Sequence, residues 1–584
     1  MSIFMMALLA LVALSPMAWA DDEPAKLEIG DGLPGFELKS AEGKLIKSAE
    51  FKNKKALAVV FVGVECPLVK LYSSRLTKLI SKFGDDFQVL GINSNRHDSI
   101  SEMQFFAKQT KVKFPLLKDP ANRVADKFGA MRTPEVFLFD ANQKLIYRGA
   151  IDDQYSYGIQ KPKSKNDYLA DAVTATLAGD KPRVAQTKAE GCIIGRIREQ
   201  KASDVTYSKQ ISRILNEHCV NCHRPGEVAP FSLTDYDEVV GWSEMIEEVI
   251  EDRRMPPWHA NPKHGTFKND ISLSKEEIAL VNTWVKNGAP EGDKADLPEP
   301  PKFVEGWQIG KPDVVLAMRK RPYRVPATGV IPYKHFVVKT GFKEDKWVRS
   351  AEIRIGNRAV VHHVIVALHD SDDVQSHGQI GSEWITATAP GSKPLELPDG
   401  YAKFIPAGAK LIFQMHYTPN GTAQSDISSV GFIFADAASI KKTVGTREIR
   451  NRRFRIPPGE SNHKVEASYR FKNDSLVLAL FPHMHLRGKS FRYTAKYPDG
   501  KSEILLDIPK YDFNWQTGYE FPEPMKVPKG TVFKCVAHFD NSEDNPSNPD
   551  PKKTVRWGDQ TWDEMMIGYF DMALADQDLT KKKK

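Results

Sequence analysis

The chain has 584 residues, of which 41% are hydrophobic and 27% are charged, as in ordinary globular proteins. Because domains commonly span about 100–200 residues, this length predicts several domains, roughly four. The formal net charge of +7 arises from 82 basic and 75 acidic residues. This mild excess comes without interleaved basic and aromatic residues, which excludes a nucleic-acid partner.

Two segments at the ends are expected to lie outside the folded domains. Residues 1–20 form a short apolar run ending in Ala18-Trp19-Ala20, the pattern of a signal-peptide cleavage site. Since the run lacks Lys and Arg, an uncleaved anchor is the alternative. Residues 576–584 form a basic tail that we expect to be a disordered, solubilising end. No later stretch has the ~20 apolar residues of a membrane span, so we expect a periplasmic or secreted protein.

Residues 25–185 alternate strand and helix patterns, which predicts an α/β domain. The apolar run at 56–64 is typical of a buried strand, and Cys66 follows it at the start of a helical pattern. Helix dipoles favour a thiolate at that position, so Cys66 is a candidate nucleophile. The segment resembles the thioredoxin fold, closest to the redoxin and peroxiredoxin group. The resemblance implies a cis-proline at Thr133-Pro134 facing Cys66.

The activity of this domain is open at the sequence level. A thioredoxin dithiol would need a second cysteine at Val69, and a peroxiredoxin would need Thr or Ser at Gly63. Cys192, in the linker of residues 186–203, could instead form a disulfide with Cys66 as its resolving partner. The alternative is a redox-silent scaffold that serves for docking.

The pattern of residues 204–293 predicts a short helical unit. It contains a C-x-x-C-H motif, the arrangement of c-type haem attachment. We therefore predict an all-α cytochrome c domain in which Cys219 and Cys222 hold the macrocycle and His223 is the proximal ligand. Met255 is the candidate for the other axial position. Zinc or redox chemistry is the alternative for the cysteine pair. Competing axial candidates nearby are Met245, His259 and His264.

A proline-rich linker at 294–306 precedes many short alternating runs separated by turn signals, which predict tandem β-sandwiches at 307–445 and 446–575. Two sets of candidate metal ligands fall in this region. Imidazole suits copper and zinc, and a thioether selects Cu(I), so a set with two histidines and a methionine indicates copper. Packed strand histidines are the alternative for single members. The sets are His362, His363 and His416, and His483, His485 and Met565.

The two sets resemble those of the copper type II, ascorbate-dependent monooxygenases, the peptidylglycine and dopamine β-hydroxylating family. That family uses an adjacent His pair with the His of a Q-M-H-Y segment, and an H-x-H pair with the Met of a D-E-M segment. Order, spacing and flanking residues agree over Trp307 to Asp571. The resemblance implies two jelly-roll sandwiches, one per copper. The matching segments are His362-His363, Gln414-Met415-His416-Tyr417, His483-Met484-His485 and Asp563-Glu564-Met565.

The resemblance also assigns roles. The three-histidine copper would transfer electrons, and the His483, His485 and Met565 copper would be where O2 and substrate meet. Tyr569 keeps a substrate-binding position of the family, whereas Phe481 and Ile567 replace its Arg and Asn, which favours a more apolar substrate.

We therefore expect a copper monooxygenase that hydroxylates a C–H bond of a small molecule or peptide with O2. Its two copper ions would receive electrons through the attached haem c, with an external electron donor. The alternatives are a non-catalytic periplasmic redox or copper relay, and a thiol peroxidase or disulfide reductase centred on Cys66.

Overall fold

The computed structural model describes residues 27–369 and 383–581. The predicted signal segment at 1–20 and residues 582–584 of the basic tail lie outside this range. Among the described residues, no helix is both long enough and apolar enough to span a membrane. The described part of the tail is held in place, since the Lys442 ammonium donates to the carbonyl of Gln577 and Leu579 N–H donates to Lys441.

The N-terminal domain is built on a mixed seven-stranded sheet in the order β2-β1-β5-β4-β3-β7-β8. Every residue of β3 is buried, because helices and loops cover both faces of the sheet. This confirms the predicted thioredoxin-like α/β fold. Its elements are β1 Glu37–Ser40, β2 Leu45–Lys47, β3 Ala56–Phe61, α1 Pro67–Phe83, β4 Phe87–Asn93, α2 Ile100–Thr110, β5 Leu116–Lys118, α3 Arg123–Phe128, β6 Arg132–Thr133, β7 Glu135–Asp140, β8 Leu145–Gly149, β9 Tyr155–Ser156, β10 Ile159–Gln160, α4 Tyr168–Ala178 and β11 Cys192–Ile193.

Four helices follow in the middle unit. The last of them begins at a capping box formed by Ser274 and Glu277. The helices share one hydrophobic core with the thioredoxin-like domain, while Trp258 and Phe267 pack into the core of the C-terminal sandwich. The middle unit therefore contacts both neighbours. Its helices are α5 Ser212–His218, α6 Tyr236–Gly241, α7 Ser243–Glu251 and α8 Lys275–Lys286.

The next unit packs two sheets face to face, in the orders β12-β22-β15-β19-β23 and β14-β20-β16-β17. Alternate residues of both sheets, such as Val348 in β15 and Phe413 in β20, fill the core between them. The strands are β12 Val314–Ala317, β13 Tyr323–Val325, β14 Lys334–Lys339, β15 Lys346–Arg354, β16 Val361–His369, β17 Trp384–Thr388, β18 Leu395–Glu396, β19 Tyr401–Ile405, β20 Lys410–Tyr417, β21 Gln424–Asp426, β22 Ser429–Phe434 and β23 Lys442–Thr443.

The C-terminal unit is a second sandwich, with sheets in the orders β24-β33-β27-β30 and β26-β31-β28-β29. The chain passes from one sandwich to the other at Val444, between β23 and β24. Cys535 is fully buried in the second core, as expected of a small apolar side chain. The strands are β24 Gly445–Arg450, β25 Arg455–Ile456, β26 His463–Arg470, β27 Ser475–His483, β28 Gly488–Lys496, β29 Ser502–Ile508, β30 Tyr519–Val527, β31 Val532–Phe539, β32 Val555–Arg556 and β33 Ile567–Leu574.

Candidate metal and thiol centres

The first set of histidines lies on two paired strands of the N-terminal sandwich. His363 on β16 is directly opposite His416 on β20, and the register of this pair shifts between Val361 and His363. Neighbouring side chains on a regular strand point to opposite faces. The irregularity at His362 lets both members of the adjacent pair turn to the same side. One ligand atom from each of the three histidines lies within 4.8 Å of the other two.

These three imidazoles are available as ligands. Burial lowers the pKa of His362 to about 4. Burial, followed by the charges of neighbouring histidines, lowers the pKa values of His363 and His416 well below the usual range. All three rings are therefore neutral at pH 7 and keep a lone pair. Nδ1 of His416 is buried without a hydrogen-bond partner, which is costly unless a ligand occupies that direction.

The second set forms where β27 ends. The H-x-H pattern predicts both histidines on one strand, but the strand stops at His483 and His485 lies beyond it. The buried carboxylate of Glu564 causes this change of direction, because it accepts backbone N–H bonds from His485 (2.9 Å) and Arg487 (2.6 Å). The two imidazoles still converge, with ring centroids 5.2 Å apart.

Hydrogen bonds fix which nitrogen of each ring carries the proton. Nδ1 of His485 lies 3.3 Å from the carbonyl oxygen of Asp563, and Nδ1 of His483 lies 2.7 Å from Oε1 of Gln516. Because both oxygens can only accept, each Nδ1 donates and each Nε2 keeps its lone pair. Nε2 of His485 is buried without a partner. Acceptors that hydrogen-bond Nδ1 in this way orient the imidazole rings of histidines that bind metals through Nε2.

A small cavity opens beside the second set. His483, Met565, Ile567 and Tyr569 line it, whereas the ring of Phe481 contacts Gly518. Charged side chains from β24, from the loop after it and from the loop before β33 also reach the cavity, so its lining is mixed rather than wholly apolar. These are Glu448, Arg450, Arg452 and Asp559.

One layer of side chains separates the two sets. The Tyr333 ring lies 5.0 Å from that of His416 and 6.4 Å from that of His485. The amide of Gln516 spans the layer, since its Nε2 lies 3.3 Å from Nδ1 of His363 while its Oε1 accepts from His483. Tyr333 and Gln516 belong to no motif, so sequence reasoning missed them.

The C-x-x-C-H motif follows directly after α5. Nδ1 of His223 lies 3.2 Å from the carbonyl oxygen of Phe231, so it donates and Nε2 keeps its lone pair. Met255 packs against the same core as Cys219. Of its competitors, Met245 is buried in α7, while His259 and His264 lie near Asp512 and Asp507 of the C-terminal sandwich.

A cleft joins this motif to the three-histidine set. Cys222 and His362 both line it. Glu227 in the loop after the motif pairs with Arg358 of the sandwich at 3.4 Å. The middle unit is thus held with its cysteine motif facing the histidine set.

The two thiols of the N-terminal part lie together. Cys66 is the residue before α1, as predicted, and the Thr133-Pro134 bond is cis. Pairing of β11 with β6 places Cys192 beside Thr133, which brings its Sγ to 3.0 Å from Sγ of Cys66. Burial raises the pKa of Cys66, but hydrogen bonds from the Cys192 thiol and from backbone N–H groups outweigh it and lower that pKa to about 6. The same contact raises the pKa of Cys192 well above its usual range.

We expect the Cys66 thiolate to appear as the pH rises through about 6. Thiolate absorbance near 240 nm, taken as the difference between wild type and Cys66→Ser, measures this step. Replacing Cys192 with alanine removes the largest group that favours the thiolate, so the apparent pKa should rise. An unchanged midpoint in Cys192→Ala would contradict this account, and Cys535→Ala is the matched control because Cys535 lies in another core.

Comparison with known proteins identifies the N-terminal domain. Residues 29–148 match the AhpC/TSA family. Thiol-disulfide oxidoreductase ResA of Bacillus thuringiensis subsp. konkukian (strain 97-27) is 27% identical over 122 residues, which is 21% of this chain and 69% of that protein. Chloroplastic peroxiredoxin Q of Sedum lineare is 29% identical over 140 residues, 21% of this chain and 70% of that protein.

Among solved structures, the hypothetical protein SMc02350 of Sinorhizobium meliloti 1021 is 31% identical, covering 30% of this chain and 98% of that chain with a TM-score of 0.28. The family match and the sequence relatives show that the chain carries an N-terminal redoxin domain of the thioredoxin-like class. They support a redox role for this domain.

Proposed function

We propose that this chain is a periplasmic or secreted copper-dependent monooxygenase that hydroxylates a C–H bond with O2. Electrons would reach the copper sites through an attached c-type haem domain. The observation that carries the proposal is the convergence of five histidines and one methionine into two adjacent sets, with buried nitrogens that lack other partners.

The donor chemistry of each set fits copper. His362, His363 and His416 would hold one ion through neutral imidazoles. His483 and His485 with the Met565 thioether would hold the other, and a thioether favours Cu(I) over the harder divalent metals. When bound, copper supplies one-electron redox chemistry at the first set and the reduction of O2 at the second.

The protein's own residues shape the reaction. Burial of His363 and His485 excludes water, while Tyr333 and Gln516 keep the sets a single layer apart. Substrate would enter the cavity beside His483, where the rings of Trp384 and Tyr569 pack together with their centroids 4.3 Å apart. The arginines and carboxylates that line the same cavity favour a polar substrate over an apolar one.

The middle unit fits a c-type haem. Cys219 and Cys222 are free thiols, and His223 presents Nε2 as a ligand because Nδ1 is bonded to Phe231. Met255 is the candidate for the other axial ligand. Haem would supply a one-electron carrier, and the cleft shared by Cys222 and His362 would link it to the first histidine set.

An anaerobic transfer experiment tests the proposal. The haem of the full chain is reduced, Cu(II) is added to fill both sets, and haem oxidation is followed by stopped flow. We expect rapid oxidation that is lost in His362→Ala. The matched control is His369→Ala, at the far end of the same strand and outside the set.

Two results would overturn the internal route. Either His362→Ala transfers electrons as fast as wild type, or the wild type with both metals bound does not oxidise its haem. If transfer occurs but no substrate increases O2 uptake, the non-catalytic relay is the better description.

The close thiols favour a second activity, a thiol peroxidase or disulfide reductase at Cys66. Sγ of Cys66 and Sγ of Cys192 are 3.0 Å apart, so oxidation by a peroxide or by a disulfide substrate would join them with little movement. This activity should be abolished by Cys66→Ser and retained in His483→Ala. The opposite pattern would assign the redox chemistry to the copper sets.

A further inference from the structure

Glu65, His97 and Asp98 lie together at the contact between the redoxin domain and the middle unit. Glu65 is in the turn from β3 to α1, immediately before Cys66, and the other two are in the loop from β4 to α2. One ligand atom from each residue lies within 4.8 Å of the other two. This cluster belongs to neither the thiol pair nor the two histidine sets.

Two of these side chains are buried with atoms that have no partner. The side chain of His97 is 5% exposed and that of Asp98 is 1% exposed. Neither ring nitrogen of His97 has a hydrogen-bond partner, nor has Oδ1 of Asp98. Nε2 of His97 lies 3.6 Å from Oδ1 of Asp98, which is too far for a hydrogen bond. Native proteins rarely leave buried polar groups in this state, because each costs about 1–3 kcal/mol.

The surroundings hold His97 in this position. Its ring lies on Trp242 of the middle unit with centroids 4.4 Å apart. Gly241 and Gly195 approach the Nδ1 side so closely that a Cβ at either position would collide with the ring. Nδ1 is thus closed off by backbone, and Nε2 is the nitrogen that lies near the carboxylates.

The second oxygen of Asp98 is fixed in a way that directs Oδ1 into the cluster. Oδ2 accepts from the backbone N–H of Val64 and the amide of Asn95, both at 3.0 Å. The nearby Lys118 ammonium is occupied with the carbonyl oxygens of Asn95 and Asp98, at 2.6 Å each. Burial, followed by the charges of Asp98 and Glu102, raises the pKa of Glu65 to about 7.

We infer that Glu65, His97 and Asp98 form a further metal site for a divalent first-row cation such as Mn²⁺, Fe²⁺ or Zn²⁺. One imidazole with two carboxylates suits these ions, and the absence of sulfur from the cluster distinguishes it from the copper set with Met565. The cation would supply the missing partner of Nε2 and Oδ1. It would also tie the loop that carries His97 to the turn that carries Cys66.

The position of the cluster links the two redox units. The ring of Trp242 stacks on that of Phe231 with centroids 3.9 Å apart. The centroid of the Phe231 ring in turn lies 4.8 Å from that of His223 in the cysteine motif. A cation held by His97 would therefore stiffen the contact between the redoxin domain and the middle unit. Its binding should raise the unfolding temperature of the full chain.

Titration of the copper-free full chain with Mn²⁺ tests the site, with free Mn²⁺ counted from its six-line EPR signal. We expect one bound Mn²⁺ per chain. Glu65→Gln and His97→Gln should each weaken Mn²⁺ binding at least about 10-fold. Replacing a residue that only hydrogen-bonds a metal ligand already lowers metal affinity roughly 10–100-fold. His362→Ala should still bind one Mn²⁺ per chain.

The matched control is His218→Gln. His218 clusters with Glu217 and Glu277, but its nitrogens already lie at hydrogen-bonding distance from the carbonyl of Ile271 and from Glu277. Its loss should not change Mn²⁺ binding. The inference would be overturned if Glu65→Gln and His97→Gln both still bound one Mn²⁺ per chain with wild-type affinity. It would also be overturned if the wild type bound no Mn²⁺ at millimolar concentration.

Thermal unfolding provides an independent readout in case His97→Gln disturbs the packing on Trp242. Mn²⁺ should raise the midpoint of wild type and of His218→Gln but not that of Glu65→Gln, which preserves the shape of the side chain. An equal Mn²⁺-dependent rise in Glu65→Gln would place the bound ion elsewhere.

Discussion

In the proposed copper monooxygenase, replacing His483 with alanine should remove one of the two copper ions and lower the rate of hydroxylation more than about 100-fold, because losing only a partner that hydrogen-bonds a metal ligand costs roughly 10–100-fold. His483 connects the cavity to the set, as Met565 does, because it lines the cavity, and its Nδ1 donates to Gln516. The variant should keep the first copper, because His362, His363 and His416 belong to the other sandwich.

Copper content per chain and substrate-dependent O2 uptake measure this effect. His463→Ala is the matched control, since His463 lies on β26 of the same sandwich and outside the set. It should retain both ions and the wild-type rate. A His483→Ala protein that still binds two copper ions and turns over normally would show that the cavity is not the site of reaction.

Replacing Lys403 with alanine should destabilise the contact between the sandwiches by about 3–5 kcal/mol, the usual cost of breaking a buried ion pair. The Lys403 ammonium, on β19, lies 3.1 Å from the Asp571 carboxylate on β33 and 3.1 Å from the Thr446 hydroxyl on β24. The side chains of Lys403 and Asp571 are only 5% and 6% exposed. The variant would leave the Asp571 charge buried without its cation.

Urea unfolding, followed by copper release and by fluorescence, would detect this loss as a separate transition of the sandwiches, because a chain with several domains need not unfold in one step. The double variant Lys403→Met with Asp571→Leu should recover much of the stability, since a buried pair can be replaced by apolar groups at little cost. Lys464→Ala, which breaks an exposed pair with Glu466, is the control and should leave the midpoint unchanged. An equally small effect of Lys403→Ala would mean that water reaches Asp571.

The features that the sequence alone predicts are those determined by nearby residues. A continuous apolar run predicts the buried strand β3, and the residues after it place Cys66 at the start of α1. Alternating runs predict the all-β region, and the Ser274 capping box predicts the start of α8. Each of these features depends on residues that are close together in sequence. The local pattern and the backbone geometry are therefore sufficient to predict it.

Only the tertiary structure decided which distant residues meet. Gln516 contacts His363 across 153 residues of sequence, and β11 brings Cys192 beside Cys66 across 126. The end of β27 at His483 depends on Glu564, which arrives from a later loop to accept two backbone N–H bonds. The charged lining of the cavity comes from β24 and from two loops distant in sequence, none of which carries a recognisable motif.

The same limit applies to the cluster of Glu65, His97 and Asp98. Its residues carry no motif, and the unpartnered Nε2 of His97 becomes visible only when Trp242 and Gly241 of another unit close over the ring. Side-chain type and spacing can suggest ligands that share one strand or loop. A side chain becomes available as a ligand when it is buried and has no other hydrogen-bond partner. Both conditions depend on packing between units, so no local sequence pattern reveals them.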